Sequence, residues 1–198
     1  MGEILNSLNK LDFMGMSVAI TAFLVGLKFP DFDFKLKLKH RNILTHSPFL
    51  VFIFLYYYTK EPVEITRYFI IGFSLAIGIH LIFDLFPKGW GGGSLLKIPI
   101  VSLQCGPTLT QNLLKLFIVT SLGISIKYTR QETEFLLILF LGGFTILRNV
   151  RKEKKLIRPL FLYLIFFACL GSFKYQAVYD YVMKNLSIGA HMIGGFIK

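Results

Sequence analysis

The sequence predicts an all-α protein, a polytopic transmembrane bundle of about six apolar segments with four to six true spans. Three observations carry that expectation. Of 198 residues, 54% are hydrophobic, including 21 Phe and 9 Tyr. The mean hydropathy is +0.61, far above that of a soluble globular domain. The charges fall in short loops between apolar runs. With this length, residues 1–198 form a single integral membrane domain, and residues 30–93 hold the chemistry discussed below.

The apolar segments lie at about 14–29, 48–58, 68–86, 113–126, 135–147 and 160–173. The third is full length, whereas the others fall short of the ~20 residues a perpendicular span needs. Flanking Tyr, Lys and Thr at the interface lengthen them, and the second and fifth are the candidates for re-entrant segments. Pro30 and Asp31 stop the first segment, and no basic region precedes it, so it reads as a span and not as a signal peptide. Pro48 sits in the first turn of the second, where a missing N–H costs nothing. Pro87-Lys88-Gly89 ends the third, and Pro159 opens the sixth. Cys105 and Cys169 lie at different depths, so no disulfide is expected.

Charge gives the expected orientation. The 22 Lys and Arg exceed the 11 Asp and Glu by 11. Thirteen of the basic residues fall in the loops after the first, third and fifth segments, against eight on the opposite side. The positive-inside rule then puts those three loops in the cytoplasm and both termini outside, in a multi-pass protein of the cell inner membrane. Basic loops of this kind suit anionic lipid headgroups, and their shortness argues against nucleic acid as a partner.

Four polar clusters interrupt the apolar chain: Asp31-x-Asp33, His40-Arg41, Thr45-His46-Ser47 and His80-x3-Asp84. Lysine counting and helix counting put all four at the cytoplasmic level. Ionisable groups in or beside a bilayer are costly, so each needs a partner or a function. His80 and Asp84, four apart, share one helix face, in a row that begins with Gly72 and Ala76. The small residues let a neighbouring helix approach closely. A buried His–Asp hydrogen bond that fixes packing is the bland alternative for this pair. For Asp31 and Asp33 it is a solvated acidic turn balanced by Lys28 and Lys35, and for His40-Arg41 a basic loop on headgroups. Thr45 and Ser47 either cap the second helix or orient a ligand.

Taken together, Asp31, Asp33, His40, His46, His80 and Asp84 form a candidate site for one or two divalent ions. Mixed nitrogen and oxygen ligands suit zinc first, with manganese or iron as alternatives. Arg41 and Lys88 are the candidate catalytic cations for an anionic substrate, with Arg41 able to fork onto phosphate.

The run HRNILTHSPF followed by GIHLIFDLFPKGWGGG resembles the YdjM-type inner-membrane family of metal-dependent hydrolases, whose pattern is Asp-x-Asp, His-Arg…Thr-His-Ser, then His-x3-Asp. The resemblance covers residues 30–93 and implies a multi-spanning membrane protein with hydrolase chemistry, carried by Asp31, Asp33, His40, Arg41, His46, His80 and Asp84. A more distant similarity to zinc phospholipase C enzymes points to phosphoesters. This chain has three residues between Arg41 and Thr45 where the family has two.

The leading expectation is therefore a metal-dependent hydrolase acting on a phosphoester or lipid-linked substrate at the cytoplasmic face. The alternative is a non-enzymatic sensor or scaffold that forms homo-oligomers and works with a cytoplasmic protein partner through its basic loops. A transporter ranks last, because no polar ladder runs through mid-membrane.

Overall fold

The computed structural model describes residues 12–33, 35, 38, 40–87, 89–90, 92–98, 103–153, 157–176, 178–180 and 183. Among these the chain is all-helical. It comprises α1 (Phe13–Lys28), α2 (Phe49–Lys60), α3 (Glu64–Asp84), α4 (Pro107–Tyr128), α5 (Glu132–Glu153) and α6 (Ile157–Lys174). Single 3-10 turns follow α1 (Pro30–Asp33) and α3 (Gly92–Ser94).

Helices overlap all six apolar segments, and among the described residues α3, α4 and α6 are the ones long and apolar enough to cross a membrane. At 16 and 12 residues, α1 and α2 are shorter apolar helices. The outer surface is itself apolar: Phe140 and Phe144 of α5, Phe161 and Phe173 of α6, and Leu116 of α4 all stand exposed. An apolar exterior of this extent is what lipid contact requires and what a soluble monomer avoids.

The core is built around α3. Its apolar stretch is 78% buried, against 22% for that of α6, so α3 is the axis and the other helices are its casing. Small residues set the closest contact. A Cβ at Gly72 would lie 1.9 Å from the Ala19 carbonyl oxygen, and one at Gly26 would lie 2.7 Å from the Ala76 Cβ. Thus the Gly72–Ala76 row meets Ala19 and Gly26 of α1 almost backbone to backbone, as close-packed membrane helices do. Gly78 makes room for the Leu122 side chain of α4. That seam brings the last turns of α1 and α3 to one end of the molecule.

The opposite end is locked by ions. Arg67 donates through both terminal nitrogens to Glu134, at 2.9 Å each, and through Nε to Glu64 at 2.8 Å. Tyr68 and the Arg130 backbone N–H also donate to Glu134. Arg67 and Glu134 are each only 3% exposed, so this pair joins α3 to α5 out of solvent. Lys174 at the end of α6 donates to the Ile126, Lys127 and Thr129 carbonyls, which caps α4. Arg67, Arg130 and Lys174 are thus engaged in holding helices together. Both cysteines are free.

Candidate metal centre

The site forms where the chain leaves α1, turns into α2 and leaves α3. Each helix stops for a local reason. After α1 the four residues Pro30–Asp33 tighten into a 3-10 turn. At three residues per turn, positions two apart point to different sides. Asp31 is therefore exposed and Asp33 fully buried. The segment from Arg41 to Ile43 is held by the loop after α3: Lys97 donates to the Arg41 carbonyl at 3.0 Å, and Ile43 donates to the Lys97 carbonyl at 3.0 Å. Ser47 Oγ accepts from the Phe49 N–H at the start of α2. Pro87 follows the last turn of α3, whose final residue is Asp84.

His46, His80 and Asp84 converge. One ligand atom from each lies within 4.8 Å of the other two. His46 Nε2 and His80 Nε2 are each 3.6 Å from Asp84 Oδ2. Ligands about 2.0–2.1 Å from a tetrahedral zinc ion stand roughly 3.4 Å apart, so the two carboxylate distances need little adjustment. The imidazole rings of His46 and His80 have centroids 5.5 Å apart and are steeply inclined.

The tautomer of His46 follows from its neighbour. Thr45 Oγ1 is 3.1 Å from the Asn42 carbonyl, which can only accept, so the single hydroxyl proton goes there. The same oxygen is 3.0 Å from His46 Nδ1 and must accept from it. Nδ1 then carries the ring proton, and Nε2 presents its lone pair to Asp84. Burial, reinforced by the charges of His80 and Arg41, pushes the His46 imidazolium down to about 2, so the ring is neutral at physiological pH. Both His46 Nε2 and Asp84 Oδ2 are buried without a hydrogen-bond partner. Two buried acceptors facing each other are costly, and a cation or a shared proton would satisfy both.

The second oxygen of Asp84 is fixed by Arg41. Nη2 donates to Asp84 Oδ1 at 2.7 Å, while Nη1 donates to the Ser94 carbonyl at 2.7 Å. Arg41 also approaches the Asp84 carbonyl, at the negative end of α3. Its backbone adopts φ 60°, a left-handed conformation uncommon outside glycine, and its N–H donates to Asp33 Oδ2 at 2.7 Å. Asp33 is also 3.3 Å from His40 Nδ1. The six expected ligands thus divide. His46, His80 and Asp84 come together. Asp33 holds His40 and the Arg41 backbone. His40, with its ring centroid 6.0 Å from that of His46, stands beside the group. Arg41 faces Asp84 instead of open space, and Lys88 lies outside the described residues.

A cleft of about 520 Å³ opens on this group between the ends of α1, α3 and α5. Lys28, Asp31, His40, His80, Asp84 and Asn149 form its polar lining. Asn149 has no motif to announce it in the sequence. It reaches the site only because α5 ends beside α3, at the basic loop that charge counting puts on this side.

No protein-family model matches the chain, and neither curated proteins nor solved structures yield a match.

Proposed function

We propose that the chain is a metal-dependent hydrolase of a phosphoester, lipid or lipid-linked, working at the cytoplasmic face of the inner membrane. The observation that carries this is the pair of partnerless buried acceptors, His46 Nε2 and Asp84 Oδ2, beside His80 Nε2. Two imidazoles and one carboxylate suit zinc, manganese or iron(II). Three ligands leave a coordination position open. His80 and Asp84 line the cleft, so that position has room for water and substrate, which favours catalysis over a structural ion or a scaffold. When bound, such an ion supplies a water acidic enough to ionise near neutral pH and a Lewis acid for the phosphoryl oxygens. Arg41 holds Asp84 Oδ1 in place, and Thr45 fixes the His46 tautomer that would present Nε2 to a bound ion. The similarity of residues 30–93 to the YdjM-type pattern supports the same reading, as does the excess of Lys and Arg on the site's side for its membrane face.

The test is metal content of the purified full chain, with zinc, manganese and iron measured together, followed by release of phosphate from lipid phosphomonoesters. About one ion per chain, lost in His80→Ala with the fold retained, is expected of a three-ligand site. Metal content near zero and unaffected by that substitution refutes the reading.

A further inference from the structure

The metal reading leaves open what holds the substrate, since Arg41 is 9% exposed and engaged with Asp84 and Ser94. We propose that Lys28 holds the anionic head of a phosphorylated amphiphile in the cleft while the apolar tail follows the exposed strip of α1. This rests on the metal reading above.

Among the described residues lining the cleft, Lys28 is the one lysine or arginine. It is exposed, and none of the ion pairs found within 4.0 Å among those residues involves it. Asp31 shares the cleft, so the charge must be judged together. A divalent ion with Lys28 and Arg41 outweighs Asp31, Asp33 and Asp84 by one positive charge, which suits an anionic guest. Asn149 adds an uncharged amide donor on the facing helix.

The other wall is oil. Leu27, Ile79 and Phe83 line the same space. Leu24, four residues before Lys28 and on the same face of α1, is 57% exposed. Its neighbour Val25 is 52% exposed. Leu24 and Val25 thus form a short apolar strip one turn before an ammonium group beside the metal ligands. Inorganic phosphate would use only the polar half of this arrangement, whereas a lipid phosphomonoester would use both halves. A lysine that merely snorkels to bulk headgroups would have the same exposure but no influence on the metal.

The experiment uses the full chain in phosphatidylcholine nanodiscs, loaded with cobalt(II), whose visible spectrum responds to ligands at the ion. Inorganic phosphate and dihexanoyl phosphatidic acid are titrated separately. The lipid is expected to shift the spectrum at a midpoint about tenfold or more below that of phosphate. Lys28→Ala should raise the lipid midpoint about tenfold, and Lys28→Arg should restore most of it, the size expected for one charge-assisted contact. The spectrum before titration should be the same in all three proteins. An unchanged lipid midpoint in Lys28→Ala overturns the proposal while leaving the metal site intact. Equal midpoints for phosphate and lipid overturn the amphiphile. Failure of the unaltered chain to take up cobalt overturns the metal site and this inference with it. Should Lys28→Ala lose cobalt, Lys28→Gln, which keeps the aliphatic stem, replaces it under the same criteria.

Discussion

Nε2 of His46 and Oδ2 of Asp84 face each other across 3.6 Å, and neither has a hydrogen-bond partner. Thr45 is what makes the His46 nitrogen an acceptor. Replacing Thr45 by Val keeps the shape but removes the acceptor for the His46 Nδ1 proton, so the ring can turn or change tautomer. Metal affinity should fall about 10- to 100-fold. Thr45→Ser should stay near the unaltered value. Competition with a metal-indicator dye measures both, and equal affinity in Thr45→Val would show that the hydroxyl does not set the ligand.

Arg41 allows its side-chain and backbone roles to be separated. Removing the guanidinium in Arg41→Ala leaves the Asp84 carboxylate largely buried without its partner, at a cost of about 3 kcal/mol in the metal-free protein. Arg41→Gly loses the same contacts but relieves the φ 60° backbone, and should be about 1 kcal/mol less damaging. Unfolding curves in detergent compare the two. Greater damage from Gly would mean that the left-handed turn is not a source of strain.

Acid should weaken the metal-free protein through His46. Its folded form takes a proton only near pH 2, whereas the unfolded side chain does so near 6.5. The stability contributed by the neutral ring is therefore complete above pH 6.5 and declines as pH falls towards 2. The decline is about 1.4 kcal/mol per pH unit inside that window. Between pH 7 and pH 5 the midpoint of thermal unfolding should drop, and His46→Asn should flatten the drop. An equal slope in the variant would assign the acid sensitivity to other groups.

Two glycines should respond in opposite ways to the same change. Gly72→Ala forces a Cβ against the Ala19 carbonyl and should cost about 2–3 kcal/mol or abolish folding. Gly123→Ala meets nothing within 4 Å and should stabilise α4 by roughly 0.5–1 kcal/mol. Detergent stability assays on both variants settle the sign. A tolerated Gly72→Ala would mean that α1 and α3 are not in tight contact.

The parts of this molecule that were legible in sequence are those with local periodicity. His80 and Asp84 declare themselves as a pair four apart on a helix, and the small residues ahead of them foretell the seam with α1. His46 was legible from the composition of its loop. The turn after α1 was not: whether Asp31 and Asp33 share a target depends on its 3-10 geometry, which separates them. Nor could spacing show that Arg41, in a left-handed conformation, turns back onto Asp84. The Arg67–Glu134 pair spans 67 positions and follows no period, so its members looked like ordinary loop charges. Asn149 was invisible for the same reason. Among the described residues three helices have the length and apolarity to cross a membrane, fewer than the six apolar runs suggest, and α1 and α2 are shorter apolar helices.

The near-contact of Gly72 with the Ala19 carbonyl has a consequence for traffic. A solute travelling along the central helix would have to prise apart two backbones that already touch, and no thread of water fits between them. Nothing passes through the protein by that route. On the proposed hydrolase reading, substrate enters and products leave by the same end of the molecule.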